Sequence, residues 1–503
     1  MTTAAHVQAT AQPAGRAPAP RLGITMIAVA AFLLELAVSG RYGYVRDELY
    51  FLAAGKHLAF GYVDQPALTP LIARISADLT GNSLVGLRIV PALGLAALVV
   101  MTAAMSRLLG AGRTGQLLAA FAAASCAEFV GAMHELTTTV PDFLFWALTL
   151  LLVTRLLITQ DPRWWIAIGA CAGLATEAKW NIVFLVGALG VGFLVTDSRR
   201  LLRSRYVAFA GVLAVALAVP DLVWQAAHGW PNFAVFHALQ SEAWHNRVTY
   251  WPAQFLFTGI ALTPIWVSGL VWTLRNPQGR AFRPIAIACG LAIVLQFVLG
   301  GKPYYPGGVY TFLFAAGAVP AERWLHAKAD RIKGAVIAMV ISTAGALVVA
   351  IPLLPAAALH TVPLQKINYD LAESIAWPKQ VALVAREYHA LAPSLRRHTT
   401  VITANYGEAG AIDRYGAQYG LRQVYSGANN FWLWGPPPAS ATAAIAVDVD
   451  PALLRREFTS VRLVAVFHNG IGVDDDEQGA RIYLATGLRT PWSRAWTAFR
   501  DYS

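Results

Sequence analysis

Charged residues are scarce in this chain. Only 13% of its 503 residues are charged, whereas 56% are hydrophobic and the mean hydropathy is +0.50. Soluble domains carry about 25% charged residues, so the composition excludes a chain that folds entirely in water. Most of the protein must therefore lie in a membrane.

Cysteine is also scarce. Cys126, Cys171 and Cys289 each lie inside an apolar run. Their positions indicate neither a disulfide framework nor a cysteine-based metal site. We expect them to be small hydrophobic residues of helices, and the sequence has neither an internal repeat nor a coiled-coil pattern.

Basic residues are in excess, with 39 Lys and Arg against 28 Asp and Glu, a formal net charge of +11. They do not form one patch or tail, as a nucleic-acid surface would require. Instead they occupy short gaps between apolar runs, which is the pattern of membrane topology signals. The sequence therefore predicts contact with membrane lipid and no nucleic-acid partner.

Apolar runs of about the length that crosses a bilayer predict about eleven transmembrane helices. The runs are 22–40, 84–106, 115–133, 140–158, 164–178, 181–196, 206–224, 251–274, 284–300, 304–320 and 334–355. The fifth and sixth are short and meet at "TEAKWN", which predicts a tight hairpin. Five gaps rich in Arg and Lys fall on one face if the N-terminus is cytoplasmic. We therefore expect a multi-pass protein of the cell membrane with an extracytoplasmic C-terminus.

The chain divides into three predicted parts. Residues 1–21 are expected to form a disordered cytoplasmic tail, and residues 22–355 the transmembrane domain. Residues 356–503 have balanced charge and contain three short strand-like stretches, "TTVITANYG", "AAIAVDVD" and "VRLVAVFHNG", with one helical stretch, "AWPKQVALVAREYHAL". This pattern predicts a small extracytoplasmic α/β domain.

The first outer loop is rich in charged and aromatic residues. Its stretch "PALTPLIARISADL" has apolar residues at helical spacing, which indicates a helix lying in the membrane surface, and "ELYFLAAGKHLAF" is a candidate for a second one. Asp47 and Glu48 precede these helices, and Asp64 lies between them. Such carboxylates are either solvated loop ends or general bases acting on a hydroxyl beside a lipid-borne phosphate, and the spacing leaves both readings open.

The stretch "VRDELYFLAAGKHLAFGYVDQPALTPLIA" resembles the first-loop signature of membrane glycosyltransferases with the C-type fold. More narrowly, it is similar to the family of protein O-mannosyltransferases and bacterial aminoarabinose transferases. "TTTVPDFLFWALTLLL", "GLATEAKWNIVFL" and "GKPYYPGGVYTFL" resemble further blocks of that family in the same order, so the resemblance covers about residues 25–325. It implies an enzyme that moves a hexosyl or pentosyl group from a polyprenyl phosphate to an acceptor glycan, lipid or protein at the outer face, with inversion.

The resemblance also implies roles for acidic residues. Asp47 matches the catalytic carboxylate of the family and would act as general base, with Glu48 as its immediate partner. Asp64 matches an acidic position that some members use for a divalent metal, which makes such an ion the candidate cofactor. The next position is often basic in relatives but is Gln65 here, which puts direct phosphate contact at this point in doubt. His237 in the outer loop is a candidate metal partner of Asp64.

The leaving phosphate needs cations or hydrogen-bond donors, because its charge rises as the glycosidic bond breaks. The candidates are Lys302, Tyr304 and Tyr305 of "GKPYY" and Lys179 of "TEAKWN". Each lysine could instead be a helix-end cation that extends to the membrane surface. Asp142 is either an ordinary acid of a helix start or, by the resemblance, part of the sugar pocket.

The tail segment "ANYGEAGAIDRYGAQYGLRQVYSGANNFWLWGPPP" is rich in the residue types that line sugar-binding surfaces, although a turn-rich domain edge has the same composition. Two other classes of protein compete with the enzyme. A secondary transporter would carry its functional charges near the bilayer midplane, whereas here they lie at the outer rim. A scaffold or receptor that binds a partner through the C-terminal domain would leave the first loop unexplained.

Overall fold

The computed structural model describes residues 17–502. Residues 1–16 of the predicted tail lie outside the described residues. The helices up to residue 350 are α1 (Arg21–Val38), α2 (Arg46–Lys56), α3 (Leu68–Thr80), α4 (Leu84–Leu108), α5 (Arg113–Ser125), α6 (Ala127–Ala132), α7 (Thr139–Thr159), α8 (Trp164–Thr176), α9 (Ile182–Leu194), α10 (Arg205–Ala227), α11 (Pro231–Leu239), α12 (Ala243–Thr258), α13 (Thr263–Arg275), α14 (Arg283–Leu299), α15 (Val309–His326) and α16 (Ala329–Ala350).

Every predicted apolar run contains a helix, but the predicted number of spans is not confirmed. Within residues 17–502, 6 helices are long and apolar enough to cross a membrane, or up to 8 if each bent pair is one span. The run 251–274 is broken, and its two halves meet at 102°. Gly259, at φ +92°, ends the first half, and Pro264 lies in the first turn of the second. The apolar pattern continues through this break, so periodicity alone does not reveal it.

The five basic gaps lie on one face of the helical bundle, as predicted. Side-chain hydrogen bonds join them in series: Gly112 with Glu322, Gln160 with Arg200, Asp197 with Arg280 and Gln278 with Arg323. The hairpin between α8 and α9 is also present, and its helices have only 13 residues each. The first loop, "TEAKWN" and "GKPYY" meet at the other end of the bundle.

The two helices predicted in the first loop are α2 and α3. Leu71, Ile75 and Leu79 of α3 are exposed, so this helix presents an apolar face away from the protein. Such a face suits a helix that rests in the membrane surface. The opposite side of α3 packs against α2, since a Cβ on Gly55 would lie 3.1 Å from the backbone of Pro70.

Residues 356–502 form a mixed α/β unit. Its elements are α17 (Asp370–Glu373), α18 (Trp377–His389), α19 (Pro393–Arg396), β1 (Thr399–Thr403), α20 (Tyr406–Tyr415), β2 (Tyr425–Ser426), α21 (Asn429–Leu433), β3 (Ala443–Val447), α22 (Pro451–Glu457), β4 (Phe458–Val466), β5 (Arg481–Leu488) and α23 (Trp492–Ala495). The strand order is β2-β1-β3-β5-β4, with β2, β1 and β3 parallel and β5 antiparallel to both neighbours. The three strand-like stretches are β1, β3 and β4, and the helical stretch is α18, whereas β5 and α20 were not predicted.

One face of this sheet shares its hydrophobic core with the first loop. Ile445 of β3 belongs to the same buried cluster as Leu49 and Phe51 of α2. Helices α20 and α2 approach so closely that a Cβ on Gly410 would lie 2.9 Å from Leu49. The C-terminal unit is therefore packed onto the loop that carries the candidate catalytic residues.

Candidate active site

The first turn of α2 carries Asp47 and Glu48. Acidic side chains are favoured there by the unpaired backbone N–H groups of a helix start. Adjacent residues of an α-helix point about 100° apart around its axis. The two carboxylates therefore face different surroundings.

Glu48 faces α4 and is completely buried. Arg88 donates to its two carboxylate oxygens from Nε at 2.9 Å and from Nη2 at 2.8 Å. The backbone N–H groups of Val45 and Leu136 donate to the same oxygens at 3.0 and 3.1 Å. Because both oxygens are occupied, Glu48 positions the start of α2 and does not face a substrate. We therefore interpret this predicted catalytic residue as a positioning residue.

Asp47 faces the C-terminal unit and is half-buried. Tyr406, at the start of α20, donates its O–H to Oδ1 of Asp47 at 3.0 Å. Burial and the charge of Asp47 raise the pKa of Tyr406, which keeps the phenol protonated as a donor. The neighbouring Arg46 pairs with Glu373 at 2.5 Å and with Asp476 at 2.6 Å. The C-terminal unit thus holds the helix start on which Asp47 lies.

Asp64 is held by α2 and α21 together. Tyr50 donates to its Oδ1 at 2.9 Å, and the amide of Asn429 donates to its Oδ2 at 3.3 Å. Asn430 accepts the backbone N–H of the residue before Asp64 at 2.6 Å. Burial raises the pKa of Asp64 to about 7, the hydrogen bond from Tyr50 opposes that rise, and the negative charge of Asp47 adds to it. The charge of Asp47 therefore affects the pKa of Asp64.

Two further carboxyl groups, Glu135 and Asp370, face the same region and are hydrogen-bonded to each other. Burial raises the pKa of both, and the negative charge of Asp47 raises that of Asp370 further. Both groups line a small cavity, together with Arg88 and His134. A proton shared between such close carboxyl groups limits the negative charge beside Asp47.

Lys179 and the "GKPYY" loop, both candidates for the leaving phosphate, meet in the structure. The ammonium of Lys179 lies 4.4 Å from the ring centroid of Tyr305 and 5.5 Å from that of Tyr304. Burial lowers the pKa of Lys179, the negative charge of Asp142 opposes this, and the positive charge of Lys302 adds to it. Lys302 itself is 4.0 Å from Glu242. Two cations and two phenols thus lie together at this end of the bundle.

Asp142 contacts this group through a chain of amides. Asn181 donates to Asp142 at 3.0 Å and to the backbone oxygen of Tyr305 at 2.7 Å. Gln296 donates in turn to Asn181 at 2.7 Å. Asp142 therefore supports the position of the Tyr305 loop from inside the bundle.

The predicted metal pair does not form a site. His237 lies exposed on α11, whereas Asp64 is bound by Tyr50 and Asn429. Across residues 17–502, no group of three or more His, Cys, Asp or Glu side chains could hold a metal ion. The residues present do not fit a metal held by the protein alone, so no chemical step is assigned to one.

Sequence reasoning missed the contribution of the C-terminal unit to this site. Tyr406, Asn429 and Asn430 contact Asp47, Asp64 or the adjoining backbone, yet each lies more than 350 residues away along the chain. The sequence feature that pointed to this contribution was the Tyr- and Asn-rich segment that begins at "ANYGEAG". Its composition also fits the edge of a domain.

A helical bundle with two surface helices in its first loop is covered here by a small α/β unit, and the comparisons show that ArnT has the same fold, in agreement with the resemblance seen in the sequence. Residues 64–224 match the family model described as dolichyl-phosphate-mannose-protein mannosyltransferase. The structure of ArnT from Cupriavidus metallidurans bound to undecaprenyl phosphate is similar over 92% of this chain and 97% of that chain, with a TM-score of 0.59 and 15% identity.

The apo structure of the same ArnT covers the same shares at 15% identity, with a TM-score of 0.57. The search of curated proteins found no match. At these identities the comparisons establish the fold. With the apolar helices, they make the chain a multi-pass membrane protein.

Proposed function

We propose that the protein transfers a sugar from a polyprenyl-phosphate donor to an acceptor hydroxyl on the outer face of the cell membrane, with inversion and with Asp47 as general base. The observation that carries the proposal is that a carboxylate held by Tyr406 and a lysine held against two tyrosine rings lie at the same end of the bundle, where the first loop is hydrogen-bonded to "TEAKWN". A general base and a cation for the leaving group are the two requirements of this reaction. The donor class is supported by the ArnT fold, because ArnT has been solved with undecaprenyl phosphate bound.

In the proposed reaction the acceptor oxygen forms a bond to the anomeric carbon on the side opposite the phosphate. The bond between that carbon and the phosphate oxygen breaks, and its electron pair leaves with the phosphate. The acceptor proton moves to Asp47. Tyr406 already donates to Oδ1, so we assign the proton to Oδ2.

The negative charge that develops on the leaving phosphate requires stabilisation. Lys179 and Lys302 supply positive charge, and the phenols of Tyr304 and Tyr305 lie beside them. A lysine held near tyrosine rings is partly removed from water, so its attraction to a phosphate is stronger than in bulk solvent.

The alternative of a receptor or scaffold is less well supported. In that case the Tyr- and Asn-rich segment of the C-terminal unit would face a partner. Tyr406 and Asn429 instead contact the acids of the first loop.

The test compares Asp47→Asn with the wild-type protein in membranes supplied with a labelled polyprenyl-phosphate sugar. Mass spectrometry of envelope glycoconjugates, with and without the gene, first identifies the acceptor and the sugar. General-base catalysis contributes about 10²–10⁴-fold, so Asp47→Asn should reduce transfer at least a hundredfold. Transfer at the wild-type rate would rule out Asp47 as the base.

Asp78→Asn is the matched control, because Asp78 lies in the same loop, is largely exposed and pairs only with Arg74 at 2.7 Å among the described residues. This variant should retain wild-type transfer. A reporter fused at residue 400 checks the orientation, since a cytoplasmic signal there would contradict an outer-face reaction.

A further inference from the structure

A second cavity is lined in part by Phe431 of α21, the helix whose Asn429 contacts Asp64. The empty space here, including the open solvent at its mouth, is about 620 Å³, and it lies between the C-terminal end of α2 and the C-terminal unit. Residues lining it include Ala53, His57, Asp413, Arg422, Phe431 and Trp434. None of them has a part in the proposed chemistry at Asp47.

One wall of this cavity is aromatic. The rings of His57 and Trp434 are stacked, with centroids 4.5 Å apart and an interplanar angle of 23°. Phe431 meets Trp434 edge-on at 4.7 Å. Burial lowers the pKa of His57, which favours its neutral ring. The wall is thus a stacked pair of rings, with a third ring packed edge-on against it.

Polar groups surround this wall. Asp413 is paired with Lys56 at 2.6 Å, which fixes its carboxylate. Arg422 is exposed at the edge, and Gln423 accepts a hydrogen bond from Tyr425 at 2.9 Å. The cavity therefore offers a carboxylate acceptor, guanidinium donors and an amide with both functions.

An aromatic plane facing such groups suits a sugar ring. One face of a pyranose carries mainly C–H groups that pack on an aromatic ring, while its hydroxyls both donate and accept hydrogen bonds. Concave sites that combine apolar walls with a few convergent polar groups are typical of small-ligand sites. The guanidinium of Arg422 attracts an anionic ligand, but the carboxylate of Asp413 in the same lining repels one, so a neutral sugar suits the cavity better.

The cavity shares a wall with the candidate active site. Asn429 of α21 contacts Asp64, whereas the ring of Phe431 lines the cavity and lies 6.1 Å from that of Tyr50, the other partner of Asp64. Ala53 is six residues beyond Asp47 on α2, which corresponds to about 9 Å along the helix axis.

The geometry points to a saccharide subsite: we propose that this cavity binds a sugar unit of the acceptor beside the unit that reacts. The assignment rests on the proposed function, which it deepens by giving the acceptor a carbohydrate portion. Leu58 and Phe60 are 52% and 69% exposed near this edge. Exposed apolar side chains at such a place suit the membrane surface, from which a glycolipid would present its sugars.

The test uses the full chain in detergent with mannobiose and chitobiose as soluble probes, observed by saturation-transfer difference NMR. Wild-type protein should transfer saturation to at least one disaccharide, Trp434→Ala should lose the signal, and Trp434→Phe should retain it because the ring plane remains. Absence of a signal from both disaccharides with the wild type, or an undiminished signal with Trp434→Ala, would overturn the proposal.

Kinetics separate this proposal from the reaction itself. Trp434→Ala should raise the acceptor KM about tenfold with little change in kcat or donor KM, since an aromatic contact contributes about 1 kcal/mol or slightly more. Asp47→Asn should reduce transfer at least a hundredfold and leave disaccharide binding intact. If transfer is present and the acceptor KM of Trp434→Ala is unchanged, the subsite is wrong. If the wild type transfers no sugar yet binds a disaccharide through Trp434, the proposed reaction is wrong and the sugar site stands.

Discussion

The buried pair of Glu48 and Arg88 gives the most decisive prediction about how the site is built. The perturbation is Glu48→Gln, which preserves the shape of the side chain and removes its charge. Arg88 would then be a buried cation without a counter-charge, since its other bonds go to the backbone oxygens of Ser39 and Gly43 at 2.9 Å and to His134 at 3.3 Å. A buried charge left uncompensated is strongly destabilising.

The magnitude follows from this burial. The two side chains are 2% and 0% exposed, so solvent screening is negligible. Breaking such a pair costs about 3–5 kcal/mol. Scaled to 503 residues, the unfolding entropy of globular proteins is about 1 kcal/mol per kelvin, so Glu48→Gln should lower Tm by about 3–5 °C.

The assay is thermal unfolding in detergent of Glu48→Gln, Arg88→Met and the double variant. Removing both partners also removes the uncompensated charge, so the double variant should be more stable than the sum of the single losses predicts. If Glu48 only positions α2, the double variant should recover part of the sugar transfer that Glu48→Gln loses.

Two results would refute this reasoning. An unchanged Tm for Glu48→Gln would mean that the negative charge of Glu48 is not needed to compensate the buried positive charge of Arg88. A double variant that regains stability while transfer stays as low as in Asp47→Asn would assign Glu48 a direct chemical role.

Two further predictions concern Tyr406 and Asp64. Tyr406→Phe should lower kcat about tenfold at unchanged Tm, because it removes a hydrogen bond to Asp47 and keeps the ring packed 5.0 Å from Tyr50. Tyr388→Phe, which removes a hydroxyl from α18, is the control and should keep the wild-type kcat. Equal rates for the two variants would contradict a role for the Tyr406 hydroxyl. The pKa of Asp64 is raised from 3.8 to about 7, so folding favours its protonated form, and its contribution to stability falls as pH rises from about 4 to 7, by at most about 4 kcal/mol. Asp64→Asn removes this pH-dependent contribution. As pH rises from 5 to 8, the Tm of the variant should therefore increase relative to the Tm of the wild type. Parallel curves of Tm against pH would contradict the raised pKa.

Much of the membrane part was predictable from its sequence, because the length of an apolar run and the position of a charged residue are local properties of the sequence. Apolar runs locate the helices. The basic gaps on one face of the bundle contain residues such as Arg280 and Arg323, which can be recognised without tertiary information. The break at Gly259 was not visible, because glycine within an apolar run also fits a continuous helix.

The site was only half predictable. Asp47, Asp64 and Lys179 stand out because charge at the edge of an apolar run is costly and calls for an explanation. Arg88 could have been noticed for the same reason, as a lone arginine inside an apolar helix. Its pairing with Glu48 and the contact between Tyr406 and Asp47 depend on tertiary packing, which composition and spacing do not determine.

The contact between Tyr406 and Asp47 joins residues 359 positions apart and has a consequence for biogenesis. During synthesis the ribosome makes the first loop long before it makes α20. A partly translated chain therefore carries its acids without the phenol and amides that orient them. Under the proposed function, the site is therefore complete only after translation has passed Tyr406, Asn429 and Asn430.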